Sequence, residues 1–347
     1  MVKAKNIKSQ GEAIRTFILK EIGKHPRDIS RHAAEKFGIT RQAVHKHLLR
    51  LIDEGALVAE GSTRQRTYGL RQLTQWHKTY DIAAKPAEDV VWRKDIEPLL
   101  GELPDNVLRI WHYVFTEMFN NALDHSEGNR IVVEVERTAA DAKIVIMDDG
   151  IGIFRKIQQR LNLLDERHAV LELAKGKLTT DPARHSGEGI FFSSRMVDQF
   201  EILSGGTYFS HNLEQEDQDW VDETARTEGT TVFMRLNNHT SRTLKKVFDK
   251  FTSGDNYGFT KTIVPVRLAQ YGNDFLVSRS QARRVLERVD RFRMVLFDFE
   301  GVEEIGQAFA DEIFRVFAKQ HPQMELVAIN TRERVRQMVD RASASGG

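Results

Sequence analysis

The stretch that most constrains this chain is "VIMDDGIGIF", Val145 to Phe154, an apolar run that ends in two carboxylates and then two glycines one residue apart. The apolar residues suit a buried sheet strand. The glycines suit the tight turn that ends it, because only glycine takes positive φ without steric cost. A turn does not require the acids. Taken alone, Asp-x-Gly-x-Gly is as compatible with a plain strand-ending turn as with a site, so the remainder of the chain has to decide.

Two further features bear on it. Upstream lies "PDNVLRIWHYVFTEMFNNALDHSE", where Pro104 suits the first turn of a helix with an apolar stripe of Ile110, Trp111, Val114 and Met118. Glu117, Asn121 and Asp124 fall at i, i+4 and i+7 and share one face. Polar groups beside such a stripe are costly unless paired or functional. Downstream, "RHSGEGIFFSSRMVDQFEI" sets Gly187 and Gly189 just before an amphipathic helix. There, backbone N–H groups and the helix dipole favour an anion. A closing strand, "EGTTVFMRL", follows.

In this order the three features, over about residues 95 to 237, resemble the GHKL family of ATP-binding domains, found in gyrase B subunits, heat-shock chaperones, mismatch-repair ATPases, histidine kinases and anti-sigma-factor serine kinases. The resemblance implies an α/β sandwich, the Bergerat fold, with ATP and Mg²⁺ as cofactors. It implies that Asp148 accepts the adenine amine with help from Thr230, and that Gly150 and Gly152 allow close approach of the ligand. Asn121 matches the Mg²⁺ ligand, Glu117 the general base and Asp124 a supporting acid. Gly187, Glu188 and Gly189 match the phosphate cradle. Asp149 reads as a solvated turn acid. The long polar segment between the glycine motifs corresponds to an ATP lid, whose Lys175, Lys177, Arg184 and His185 are candidates to meet a γ-phosphate, although most such charges simply face solvent. No dimerisation-and-phosphoacceptor helix pair precedes the domain, which argues against an ordinary sensor histidine kinase.

Charge separates the N-terminus from the rest. The formal net charge of +1 hides a balance of +9 over residues 1–80, with 16 Lys+Arg against 7 Asp+Glu, and −8 over the remaining 267. A local excess of this kind points to a polyanion partner for that end. Two amphipathic runs are followed by "ITRQAVHKHLLRLIDEGALVAEGSTRQRTYGL", where Thr40 suits the cap of a third helix with Val44, Leu48 and Leu51 inward. Arg41, Gln42, His45 and Lys46 then face outward, a set that suits a DNA groove in which Arg and Gln can reach base edges and Lys46 and Arg50 can meet phosphates, and a hairpin carries Arg64 and Arg66. His45 and His47, two apart on a helix, point in nearly opposite directions and make no metal pair. Residues 9 to 72 resemble the winged helix-turn-helix family, which implies a recognition helix in the DNA major groove and wing arginines near the minor groove. The competing reading is a protein-docking module with a solvated charged face.

Past residue 262, strand and helix patterns alternate, as in a small α/β layer fold. Phe275 to Ala342 resembles the STAS-like domain of unknown function found beside GHKL modules. A substrate STAS domain carries a phosphoacceptor serine where this chain has Gln307, so self-phosphorylation there is excluded. The domain is expected to dock a partner protein, to report the state of the lid, or to serve as a passive dimerisation module, a homodimer being among the expectations.

The expected fold class is multidomain α+β: a winged helix over 1–78, a linker over 79–103, the GHKL domain over 104–240, a connection over 241–262 and the STAS-like domain over 263–347. No cysteine is present, which excludes disulfides, thiolate metal sites and thiol nucleophiles. No apolar leader or membrane span is apparent, and the chain reads as cytoplasmic. The functional expectation is a DNA-binding transcription regulator tuned by ATP. The alternative is a slow ATPase or a serine/threonine protein kinase acting on a separate partner.

Overall fold

The computed structural model describes residues 2–62, 65–178, 187–213, 218–252, 259–270 and 275–344. At the N-terminus, α1 (Val2–Glu21), α2 (Ile29–Phe37) and α3 (Arg41–Asp53) precede an antiparallel hairpin of β1 (Leu57–Glu60) and β2 (Thr67–Leu70). Gly38 closes α2 in the left-handed conformation, φ 63°, with its N–H on the Ala34 carbonyl. Two residues later the Thr40 hydroxyl accepts the Ala43 N–H at 3.2 Å and starts α3. These two caps turn the chain between α2 and α3 in the space of three residues. Ile14, Ile18, Ile22, Ile29, Ala33, Val44, Leu48 and Leu51 form the core beneath them. Ala139 and Ala140, from the central domain, pack onto the same core.

The central domain is a five-stranded antiparallel sheet in the order β3-β4-β5-β7-β6. Its strands are β3 (Thr74–Asp81), β4 (Arg130–Arg137), β5 (Asp141–Asp148), β6 (Gln199–Asn212) and β7 (Gln218–Asn237). The boundary expected at 78/79 therefore falls inside a strand: β3 pairs with β4 along its whole length, from Thr74↔Arg137 to Asp81↔Arg130. The segment expected as a linker also contains α4 (Glu88–Val91) and α5 (Glu97–Leu100), joined by one turn of wider helix. Val91, Trp92, Ile96 and Leu100 are buried in the main core. Four apolar residues at helical spacing anchor this segment on the sheet, so it is part of the domain.

The long helix α6 (Asp105–His125) lies against the sheet, burying Val107, Ile110, Trp111, Val114, Phe115, Met118 and Phe119. Three shorter helices complete the layer: α7 (Ile153–Leu161), α8 (Glu166–Lys175) and α9 (Gly189–Met196). In α8 every residue from His168 to Lys175 is buried, contrary to the expectation of a polar, solvent-facing lid.

The expected connection 241–262 holds α10 (Leu244–Phe251), with Val247 and Phe251 buried, and the start of β8 (Lys261–Pro265). The C-terminal domain has a parallel sheet in the order β10-β9-β8, with β9 (Met294–Asp298) and β10 (Glu325–Ile329). Around it lie α11 (Arg279–Leu286), α12 (Gln307–Asp311), α13 (Ala318–Gln320) and α14 (Glu333–Ala344). One apolar cluster runs through both the central and C-terminal domains. Phe259 joins them, its ring 4.7 Å from Phe191 and 5.2 Å from Phe292. No described helix is long and apolar enough to cross a membrane.

Candidate nucleotide site and basic helix

α6, the end of β5, β7 and the start of α9 enclose a cavity of about 280 Å³. Glu117, Asn121, Asp148, Gly187, Gly189 and Thr230 all line it. Residues far apart in sequence are thus brought together because α6 crosses the sheet just where β5 ends. Ile146, Ile153, Ile157, Ile202 and Val232 supply an apolar wall.

Asp148 is held by its surroundings. Its Oδ1 accepts the backbone N–H of Gly150 at 3.0 Å and of Thr230 at 3.2 Å. Burial pushes the carboxyl pKa up to about 6; those two hydrogen bonds oppose the shift and the neighbouring Asp149 charge adds to it. The Thr230 hydroxyl accepts the Ile153 N–H at 3.0 Å, so one residue fixes both Asp148 and the first turn of α7. The two glycines of the turn are required sterically. A side chain at Gly150 would collide with the Ser126 carbonyl, and Gly152 has φ 89°.

Asp149 does more than the solvated role expected of it. Its Oδ1 accepts the N–H of Asn129 at 2.7 Å and of Arg130 at 2.9 Å, and its Oδ2 meets the Arg130 guanidinium at 3.2 Å. These bonds hold its carboxyl below the usual range. Of the adjacent acids, the first faces the cavity and the second braces the start of β4.

At the other end of the cavity, Glu117 sits against the start of α9, and any side chain at Gly189 would run into its carboxylate. Glu188 is half-buried and its carboxyl is raised by burial, which the Lys177 charge partly offsets. Tyr113, one turn before Glu117, has its hydroxyl raised by burial and by the charges of Glu117 and Glu188. The Asn121 side chain lines the cavity, and its Nδ2 is buried without a hydrogen-bond partner. A buried unmet amide on a cavity wall calls for a ligand or an ordered ion shell. The unmet group is an N–H donor and suits an acceptor such as a phosphate or water oxygen, whereas the Asn121 amide oxygen and the Glu117 carboxylate one turn away are the hard oxygen ligands that Mg²⁺ takes.

Not every expected residue joins the site. Asp124 is exposed and lies outside the cavity lining. The cavity continues past it to His125 and Ser126, so Asp124 is turned off the lining face of α6, which carries Glu117, Asn121 and His125 at successive turns. Lys175 is not a lid cation facing solvent: it is fully buried, bonded to Glu172 and to the carbonyls of Arg284 and Glu287. Arg184 and His185 lie outside the described residues. Conversely, Lys156 lines the cavity, its Nζ bonded to the His125 carbonyl at 2.7 Å and paired with Glu127 at 2.8 Å. The Ile153/Ile157 spacing after the second glycine was the signal that α7 turns a face to the site.

On α3, Arg41, Gln42 and Lys46 are exposed and His45 is half-buried. Arg50 is engaged along the helix, its Nε 2.7 Å from the Glu54 carboxylate. Arg66 is exposed beside the hairpin, and Arg64 lies outside the described residues.

Comparison with known proteins agrees with this architecture. Residues 106–240 match the family model described as histidine kinase-, DNA gyrase B- and HSP90-like ATPase. Residues 281–336 match that of the STAS-like domain of unknown function. The chain thus carries one domain of each kind. No curated protein matches the sequence.

Proposed function

We propose that this chain is an ATP-responsive DNA-binding regulator. The observation that carries the nucleotide half is the convergence of Glu117, Asn121, Asp148, Thr230 and the glycines of the α9 start on one cavity. In this reading the Asp148 carboxylate, its plane set by the Gly150 and Thr230 N–H groups, accepts the adenine amine. The isoleucines and Val232 cover the faces of the base. The first N–H groups of α9 receive the phosphates, where the helix dipole is favourable. Asn121 would hold Mg²⁺, which would supply positive charge to offset the phosphates.

The DNA half is supported by the exposed Arg41, Gln42 and Lys46 of α3 and by the +9 balance of residues 1–80. Arg and Gln near a helix start suit base edges, and Lys suits phosphates. The two halves touch through Ala139 and Ala140 of the β4–β5 turn. The test is DNA affinity with and without Mg·ATP at one salt concentration, since affinity falls steeply with salt. Equal affinities would remove the regulatory link.

A second reading, hydrolysis or phosphoryl transfer to a separate protein, draws on one observation: Glu117 meets the start of α9, where a general base is needed. Following a labelled γ-phosphate to water, to protein or to neither separates these outcomes.

A further inference from the structure

The strip from α8 to Leu178 belongs to two sites at once. Leu173 and Leu178 line the cavity. Between them, the residues that point away are bound to the STAS-like domain and the segment leading into it. The Lys175 ammonium donates to the carbonyls of Arg284 at 3.0 Å and Glu287 at 2.8 Å, and the Lys175 carbonyl accepts the Thr262 hydroxyl at 2.6 Å. Glu172 pairs with Lys175 and also takes the Arg288 guanidinium at 3.1 Å, while Arg288 reaches Glu287 at 3.4 Å. Two residues on, Lys177 and Arg291 exchange bonds: Lys177 Nζ donates to the Arg291 carbonyl at 3.1 Å, and Arg291 Nη1 donates to the Lys177 carbonyl at 2.9 Å. The Lys177 ammonium also stands 4.8 Å from the Phe292 ring. Leu178 then donates its N–H to the Gly187 carbonyl at 2.9 Å, which ties the strip to the phosphate cradle.

We propose that this strip is a nucleotide-dependent latch, and that residues 284–292 of the STAS-like domain are its receiver. The inference rests on the cavity binding ATP. Two features favour a latch over a passive seam. First, Glu172 and Lys175 are both almost wholly buried, 2% and 1% exposed. Buried ion pairs add little net stability over apolar packing but fix one register strongly, because any shift leaves a charge without its partner. The interface therefore has a discrete docked geometry, as a two-state element requires. Second, the receiver is itself conformationally constrained: Arg288 has φ 58°, in the left-handed region, which a non-glycine residue keeps only when its surroundings enforce it. A displacement of Leu173 by bound nucleotide reaches Arg288 through its α8 neighbours Glu172 and Lys175.

The test is hydrogen exchange of the full chain, with and without Mg·ATP, alongside calorimetric titration of ATP. Exchange at residues 284–292 is expected to change several-fold on ATP binding. In the paired substitution Glu172→Gln with Lys175→Met, which leaves Arg288 and Glu287 to balance each other, ATP should still bind and that response should vanish. If the pair fails to fold, Lys177→Ala at the rim is the alternative, with a weakened response expected. ATP binding to the wild type with unchanged exchange at 284–292, or an undiminished response in the variants, overturns the latch. Absence of any calorimetric ATP signal removes the nucleotide reading and the latch with it, and so is distinguishable from both.

Discussion

Asp148 sits where its ionised form opposes stability. Its folded-state pKa of about 6 exceeds the unfolded value of 3.8, so the folded protein holds this proton more tightly. The associated stabilisation is fully present below pH 3.8 and is lost as pH rises through about 6. At pH 8 the ionised group opposes folding, by up to about 3 kcal/mol for a shift of roughly two pH units. Asp148→Asn keeps an oxygen for the Gly150 and Thr230 N–H groups and removes the charge. The substitution is therefore expected to stabilise the nucleotide-free protein at pH 8 by about 1–3 kcal/mol in urea unfolding, with the gain fading towards pH 4. The same change should weaken ATP binding by about 2–4 kcal/mol, because the charge-assisted bond to the adenine amine is lost. Wild-type ATP affinity should fall as pH drops below about 6, and that of the variant should not. Unchanged ATP affinity in the variant would remove Asp148 from the adenine site. For Glu117→Ala, ATP should be retained while turnover falls by about 10² to 10⁴; a wild type without turnover would leave ATP as a ligand only.

Elements differ in how far their own residues reveal them, and the difference is one of range. α3 was legible because its cap, its inward apolar spacing and its outward cations are all local, and each is where it was expected. Arg41→Ala is expected to change sequence preference by about 1–3 kcal/mol, whereas Lys46→Ala should weaken all sequences alike and lower the salt slope by roughly one. Identical behaviour of the two in a salt series would sink that division of roles. Arg50 adds a refinement that only the structure supplies, since Glu54 holds its guanidinium and would compete with a DNA phosphate under the proposed reading. β3 was missed because only Tyr80 of its eight residues is fully buried, leaving no clean alternation to read. α8 was misread for a different reason. Glu172 and Lys175 are ordinary surface residue types, and they are buried because their partners lie more than a hundred positions later. In the candidate site, Glu117, Asn121, Asp148, Gly187, Gly189 and Thr230 were legible from motif spacing, whereas Gly150, Gly152 and Glu188, expected beside the ligand, are not part of the cavity lining. Which strip of α6 meets the cavity was not legible: it runs through Glu117, Asn121 and His125, and Asp124 falls beside it.

At the scale of the whole molecule, the cavity is linked to the N-terminal helices and to the STAS-like end by different routes, and the routes make different predictions. The first is short: β5 runs from Asp141, next to the turn whose Ala139 and Ala140 pack on the N-terminal core, to Asp148 in the cavity. Asn238, just past the end of β7, holds that turn, donating its N–H to the Ala140 carbonyl at 2.9 Å and its Nδ2 to the Thr138 carbonyl at 3.0 Å. The second route passes through α8 to residues 284–292. ATP can shift DNA affinity only by the difference in its own affinity for the two states, and DNA must shift ATP affinity by the same factor. A coupling of about 5 to 150-fold is expected, read as operator affinity with and without Mg·ATP and as ATP affinity with and without DNA. Truncating the STAS-like domain would not apportion it, because Phe292 packs on Phe259, which packs on Phe191, and removing Phe292 would expose that core of the ATPase domain. The paired Glu172→Gln and Lys175→Met change is the better instrument. If nucleotide reaches DNA along β5, that variant keeps the full coupling while its STAS-like domain goes silent; if the signal detours through the STAS-like domain, both responses fall together. The short sheet path and the direct packing of Ala140 favour the first outcome, and loss of coupling in the variant would reverse that assignment.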